Sequence, residues 1–521
     1  MHVDLYDSKT GAVAICLRDF RFAELKPEPP ASALYETGWM EAEVSSSFMS
    51  SGDLSSSRVM VLSLPGCYGG VKARAAIREL EGVGWPVVEM PGGERESEYS
   101  MTQAVSAESL AEMDALVVPV LSSTDMDMQQ VMLRVVELTQ ALASIAQARP
   151  GWSLRVMVVT SGSEGPCIMR GMSEDEGRSM GCGAVWGMMR TARMELSSRV
   201  KITCMDTDRA GTWIEDGADL AAQVKSELSL DDSSLDWEVA YRAGLRYCRR
   251  LEPSAQHLIR AKGRSVGSID MPLHVQYSQG ACLVTGGLGG LGIVTAEALV
   301  DQGARCVVLA SRSGEIKYAD QGLEQRLDTL RGKAMIVLER CDTSDEAQVI
   351  AMLDRIRSEY GEVRVVVHAA GVLSDGMLGK QDEASMRRVW GPKADGAWYL
   401  HKHATEMDML MLYSSAASLF GNVGQSNYSA ANAYLDELAR WRVSQGLGAV
   451  SVQWPAVSGV GMAAAMDASV RIAEKMSVGE ATVKAVVRQL LIFSSVTGEA
   501  LEATTMTSVQ CAVQAVVPRG M

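Results

Sequence analysis

ACLVTGGLGGLGIVTAEALV, residues 281–300, reads as strand, glycine turn and helix in direct succession. The apolar run 281–284 has the length of a buried parallel strand, and 291–302 carries apolar residues at helical spacing. Between them Gly287, Gly289 and Gly292 fit G-x-G-x-x-G, while Gly286, Gly290 and Gly292 fit the T-G-x-x-x-G-x-G spacing that opens at Thr285 and spans Leu291. Glycine allows positive φ and lets the backbone approach a pyrophosphate, whose charge then rests on the N–H groups of the helix start. A plain tight turn could carry the same pattern, so the residues downstream decide.

The next strand, 306–310, ends in Ser311, Arg312, Ser313 and Gly314. At about 20 residues past the glycines, an acid would accept a ribose 2′-hydroxyl, whereas an arginine accommodates a 2′-phosphate. The expected cofactor is therefore NADPH, with Ser311 and Arg312 at its phosphate. Asp342 follows the strand 335–338, where it can bond the adenine amino group, cap the helix predicted over 346–360, or do both. Strand 363–367 runs into HAAGV, whose Ala369, Ala370 and Gly371 are small enough for the backbone to pass close to the nicotinamide ribose; His368 reads as a packed residue.

A chain of 521 residues exceeds one core and predicts two or three domains. Hydrophobic residues at 47% and charged residues at 22% are ordinary globular values, and no apolar run is long enough to span a membrane. The polar start MHVDLYDSKTG does not resemble a signal peptide, so a cytoplasmic location is expected. The ten cysteines include Cys16, Cys204 and Cys306 on apolar strands and Cys67 and Cys182 beside glycine; they show no C-x-x-C and no metal-ligand spacing. A net charge of −15 argues against nucleic-acid binding.

Residues 4–25 alternate like two strands about a turn at 7–11, 26–30 (KPEPP) reads as a linker, and 45–57 is serine-rich and loop-like. From residue 58 a second α/β pattern begins. It has strands at 59–64, 87–90, 116–121, 155–160 and 201–206, a glycine turn at 66–70, and helices ending near Leu80 and over 128–148 and 183–196. The turn PGCYGG keeps neither glycine fingerprint, and no acid or arginine closes the next strand as expected. This half reads as a scaffold without cofactor rather than a degenerate second nucleotide site. Two alternating strands over 238–251 close it. The expected division is 1–30 as the tail of an upstream region or linker, 31–275 as a structural pseudo-Rossmann half that is a truncated, doubly wound sheet, and 276–521 as the catalytic Rossmann half.

Carbonyl reduction in such an architecture needs a hydride from the nicotinamide and a proton from a side chain. Strand 409–413 delivers Ser414 and Ser415, and Tyr428 follows Ser415 by thirteen residues in GNVGQSNYSAANAYLD. A nearby lysine would bring the tyrosine pKa, ordinarily about 10, closer to working pH. Short-chain dehydrogenases commonly place that lysine four residues after the tyrosine, where this chain has Asn432; instead Lys393 stands thirty-five residues before Tyr428 in WGPKADGAWYLH, a predicted helical segment.

With lysine and asparagine exchanged in this way, the chain resembles a ketoreductase domain of a modular type I polyketide synthase, a branch of the short-chain dehydrogenase/reductase superfamily. The resemblance runs from about residue 33 to the C-terminus. It includes LYETGW (34–39), GCGAVWGMMRTARMEL (181–196) and GVGMAA (459–464), the last containing Met462 before the region of the substrate lid. It implies that Tyr428 protonates the ketone oxygen, Ser415 hydrogen-bonds it, Lys393 tunes Tyr428 and Asn432 supports the proton relay. It further implies a β-ketoacyl chain on the phosphopantetheine of an acyl carrier protein, and other synthase domains as partners. One family class marks its entrance with Leu-Asp-Asp, and this chain has Leu373, Ser374 and Asp375. The other class has tryptophan eight residues before the tyrosine, where this chain has Phe420. Asn427 also resembles the first class, although that class often has proline where Val423 stands. This predicts a B-type, D-configured (3R) hydroxyl, and Ala430 in place of proline predicts no epimerisation. Pro455 after Trp454 departs from the family's usual glycine and removes a backbone N–H from the nicotinamide side. It supports the competing reading of a catalytically silent, ketoreductase-like scaffold. A free-standing dehydrogenase of small alcohols is disfavoured by the large N-terminal half and by Asn432.

Overall fold

The computed structural model describes residues 3–6, 13–17, 33–42, 58–64, 71–89, 109–110, 112–121, 128–165, 181–207, 220–232, 234–253, 280–316, 321–461, 477–495 and 513–517. The turns expected at 7–11 and 66–70, the linker 26–30, the stretch 45–57, the boundaries near 30 and 275, Cys67 and Met462 lie outside the described residues. Strands β1 (Val3–Tyr6) and β2 (Val13–Leu17) form an antiparallel pair.

The second half is built on β11 (Ala281–Thr285), β12 (Cys306–Ser311), β13 (Met335–Arg340), β14 (Val363–His368), β15 (Met409–Ser415) and β16 (Ala449–Trp454). Their order is β13-β12-β11-β14-β15-β16, with every neighbouring pair parallel. Covered on both faces, β11 and β16 are buried along their whole length, whereas the edge strand β13 is exposed at Met335, Leu338 and Arg340. The order reverses between β11 and β14, and a crevice opens there beyond the carboxyl ends of the strands. Thr285 and His368 are register partners at that point.

The first half repeats this plan with β4 (Val59–Ser63), β5 (Val87–Glu89), β6 (Ala115–Pro119), β7 (Leu154–Ser161), β8 (Val200–Thr207) and β9 (Glu238–Arg242), in the parallel order β5-β4-β6-β7-β8-β9. Strands β10 (Leu245–Pro253), β3 (Ala33–Glu41) and β19 (Val513–Val517) join the halves: β10 is antiparallel to β9 and β3, and β19 bridges β3 to β16. A separate parallel pair links β17 (Ala456–Val457) and β18 (Ser477–Val478).

The helices are α1 (Val71–Gly82), α2 (Met128–Ala148), α3 (Cys182–Glu195), α4 (Leu220–Ser229), α5 (Gly290–Asp301), α6 (Leu323–Arg331), α7 (Glu346–Tyr360), α8 (Glu383–Trp390), α9 (Gly396–His403), α10 (Ala416–Phe420), α11 (Ser426–Ser444) and α12 (Glu480–Ser495). On one face of the sheet a single apolar core runs through both halves, from Leu62, Val131 and Trp186 to Val366, Leu410, Leu435 and Trp441. On the other face the cores stay separate, one about Val284 and Val367, the other about Val61 and Val117. The shared face is sealed where α3 crosses α11. A Cβ on Gly187 would meet the Ser429 carbonyl oxygen, Thr191 Oγ1 bonds Ser429 Oγ at 3.0 Å, and the Gly183 N–H donates to Glu437 Oε2 at 3.0 Å. Burial raises the Glu437 carboxyl to about 8.

Most expected elements end within two residues of their predicted bounds. The cap of α7 differs: Asp345, not Asp342, accepts from Gln348 N, while Asp342 Oδ1 takes the Ser344 N–H and Oγ. Tyr428 lies in the first turn of α11.

Candidate active site

The glycine turn packs against itself and its neighbours so closely that most of its glycines are fixed by sterics. Gly286 has φ +67°, and a Cβ there would lie 2.7 Å from the Ala369 carbonyl oxygen. A Cβ on Gly287 would lie 2.6 Å from the Val284 oxygen, one on Gly292 2.5 Å from the Gly286 oxygen, and one on Gly290 against Gly461 N and Val460. Gly289 is different, because its Cβ would meet nothing closer than the Gly286 oxygen at 3.3 Å. It is half-buried and caps α5 with no side-chain hydrogen bond to the first-turn N–H groups. An uncapped helix start between packed glycines fits a pyrophosphate.

Behind the turn, His368 is fully buried and touches both Thr285 Oγ1 (Nδ1, 2.7 Å) and the Lys393 carbonyl oxygen (Nε2, 3.0 Å). A carbonyl can only accept, so Nε2 carries the proton and Nδ1 accepts from the Thr285 hydroxyl. Burial holds the ring's pKa down to about 3, so it stays neutral. His368 is thus packed, as expected, and ties the glycine turn to the lysine segment.

That segment is one helical run, α8 into α9, interrupted by a π-helical turn at Gly391–Asp395. Pro392, lacking an N–H, lies in the widened turn, and Lys393 follows it. The lysine is buried; its Nζ donates to the Tyr413 carbonyl oxygen at 2.9 Å and lies 5.3 Å from the Tyr428 ring centroid. Gly371 leaves room for its stem, since a Cβ there would come within 2.9 Å of Lys393 Cε. Desolvation lowers the Lys393 pKa to about 7.

Ser415 ends β15 and caps α10, accepting from Ala417 N at 3.2 Å. Tyr428 and Asn432 lie one turn apart on α11, on the same side. Burial raises the Tyr428 pKa, and hydrogen bonds from Asn432 and Ser415 pull it back. Lys393 was expected to lower it; here desolvation dominates and the phenol stays protonated at neutral pH. Asn432 Nδ2 donates to the Tyr428 carbonyl oxygen at 2.8 Å, leaving Oδ1 buried with no partner. Ser415, Lys393 and Asn432 thus gather about the Tyr428 side chain.

At the outer end Ser311 Oγ accepts from Gly314 N, and Arg312 is exposed. Arg340, which the sequence reading overlooked, is the register partner of Ser311 and donates from Nε to the Arg312 carbonyl oxygen at 3.1 Å. Pairing of β12 with β13 is what brings the two arginines together. Asp375 Oδ2 accepts from Gln425 Nε2 at 3.1 Å, and Phe420 closes α10. The buried Asn427 bonds the Ser374 carbonyl oxygen at 2.9 Å. Ala370 is half-buried beside Gly371.

Comparison with protein-family models matches residues 280–459 to the KR domain. "Polyketide synthase GfsA" of Streptomyces halstedii is 37% identical over 278 residues, 53% of this chain and 3% of the relative. Residues 280–459 belong to the ketoreductase (KR) domain family, and the matched relatives include polyketide synthases. A second relative, "Chalcone synthase cfoA" of Aspergillus candidus, is 37% identical over 286 residues, 54% of this chain and 10% of that protein. The chain therefore spans only a small part of either relative's length. Its fold is similar to "Structure of A1-type ketoreductase" (TM-score 0.70, 23% identity, 94% of this chain and 93% of that one) and "The Structure of a C2-type Ketoreductase from a Modular Polyketide Synthase" (TM-score 0.66, 21%, 94% and 95%). No helix among the described residues is long and apolar enough to cross a membrane.

Proposed function

We propose that this KR chain reduces the β-keto group of an acyl thioester carried by an acyl carrier protein, with NADPH as reductant. The observation that carries the reading is the convergence of Ser415, Asn432 and Lys393 on Tyr428 at the mouth of the crevice beyond β11 and β14. Bound NADPH supplies the hydride. Ser415 Oγ and the Tyr428 hydroxyl hold the ketone oxygen, and Tyr428 gives it a proton as its negative charge develops. A phenol with a raised pKa is in the protonated state that this direction requires. Lys393, with a pKa of about 7, is matched to proton exchange at neutral pH and returns the proton. The silent-scaffold reading rests on Pro455, which offers no N–H beside Trp454. Oxidation of NADPH in the presence of a model β-ketoacyl thioester decides between them, since a scaffold gives no turnover.

Gly289, where a Cβ would meet a single neighbouring atom, yields a sharper check on the cofactor site. Gly289→Ala lowers the melting temperature by only about 2–4 °C, because its Cβ would press on a single atom, the Gly286 oxygen at 3.3 Å, yet weakens NADPH binding by about tenfold or more by occupying the pyrophosphate approach. Unchanged binding, read by fluorescence titration, sinks this placement.

For the product's hand we infer the B-type outcome without epimerisation. Asp375 at the entrance, Phe420 in place of tryptophan, Asn427 before the tyrosine and Ala430 after it support the reading. Chiral chromatography of the product from an unbranched substrate is expected to show predominantly the D-hydroxyacyl product; a predominantly L product overturns it.

A further inference from the structure

Glu195 is the last residue of α3, in the half of the chain that carries none of the four side chains above. A carboxylate is unfavourable at a helix C-terminus, where the helix dipole is negative. Its position is explained by two bonds to the other half. Oε2 accepts from Leu378 N at 2.5 Å and Oε1 from Gly424 N at 2.8 Å. Those two amides belong to the loops on either side of the crevice mouth. One loop follows β14 and carries Asp375; the other joins α10 to α11 and lies between Phe420 and Tyr428. Gly424 takes φ +79°. The loops also bond each other directly, Gly376 N to the Gly424 oxygen at 2.8 Å and Gln425 to Asp375. Neighbouring residues of the same half add to the hold: Thr191 Oγ1 accepts from Asn422 N at 3.3 Å, and Gln140 Nε2 donates to the Leu378 and Gln381 oxygens.

We propose that Glu195 is a positioning residue, a single carboxylate that sets the separation of the two entrance loops and so fixes the side from which the thioester reaches Tyr428. The inference rests on the reduction proposed above. Charge-assisted bonds to two backbone N–H groups hold both loops to one rigid helix end, so neither can shift without breaking a bond to a carboxylate. Removing the clamp frees the entrance without touching the glycine turn, His368 or Lys393, which are held by other contacts. The consequence falls on the orientation of substrate rather than on cofactor binding or protonation.

The test compares wild type, Glu195→Gln and Glu195→Asp in the full chain. In Glu195→Gln one amide N–H faces a side-chain NH2, so one loop is released. Its Leu378 and Gly424 amides exchange with deuterium at least about tenfold faster than in wild type. The thioester KM rises about fivefold, and the minor hand of the product grows about tenfold, while the NADPH KM stays within about twofold. Glu195→Asp, which keeps the charge on a shorter stem, falls between. Unchanged exchange at both loops overturns the clamp, with or without turnover. Faster exchange with an unchanged product ratio overturns its role in orienting substrate, as does a parallel loss of NADPH and thioester parameters with the melting temperature. Wild type that turns over no β-ketoacyl thioester defeats the reduction itself, and this role with it.

Discussion

Tyr428→Phe lowers turnover of a β-ketoacyl thioester by about 10²- to 10⁴-fold, the range of a positioned general acid, while NADPH affinity stays within about twofold. The size follows from what phenylalanine leaves in place. Ser415 still meets the ketone oxygen, and the helix still begins at Ser426, because its first turn is held by Asn427 Oδ1 accepting from Tyr428 N at 2.7 Å and by Ser429 against Thr191. Only the proton donor is gone, and the ring remains to pack beneath Lys393. Single-turnover measurements with NADPH separate the two parameters. Turnover within a few-fold of wild type removes Tyr428 from the acid's role. A matched loss of NADPH affinity means that the variant has disturbed the crevice and not the chemistry.

The central fold was legible because its signals are local. The run 281–300 states strand, turn and helix in one breath, and steric packing of Gly286, Gly287, Gly290 and Gly292 fixes the same residues that the spacing picks out. Gly289 shows the limit of that reading. Pattern counts it with the others, and only its looser surroundings, one atom at 3.3 Å where the others would clash below 3 Å, set it apart. Lys393 was found from spacing to Tyr428, but no periodicity announces that Gly391–Asp395 is a π-turn. The lysine's contact with the Tyr413 carbonyl, rather than with the phenol, is likewise a result of packing. The helices α4, α6, α8, α10, α11 and α12 and the strands β16, β17, β18 and β19 were absent from the sequence reading, β19 because a five-residue segment carries little signal apart from the strands it pairs with. Glu195 and Arg340 were missed for a common reason. Each acts on residues more than twenty positions away in sequence, and an acid ending a helix or a basic residue ending an edge strand looks like ordinary surface until the partner is placed.

Arg312→Asp raises the NADPH KM by about 100-fold and leaves the NADH KM within about threefold. The argument starts from two guanidiniums at the ends of adjacent parallel strands, β12 and β13. Among the described residues neither Arg312 nor Arg340 forms an ion pair with an acid, although Arg340 is anchored through Nε to the Arg312 carbonyl. Two unneutralised cations side by side beyond the glycine turn suit a doubly charged phosphate, and a hydrogen bond to a charged partner contributes about 1.5–3 kcal/mol. Losing one such contact costs about 10- to 100-fold, and an aspartate adds repulsion to a phosphate that NADH does not carry. Arg340→Ala, which removes the neighbour but keeps Arg312, raises the NADPH KM by a smaller factor, about three- to tenfold, with NADH again unaffected. Both cofactors are measured on the same thioester, so that any change in the carbonyl step cancels in the ratio. Equal losses for NADPH and NADH in Arg312→Asp would mean that this arginine shapes the loop after β12 and does not read the 2′-phosphate.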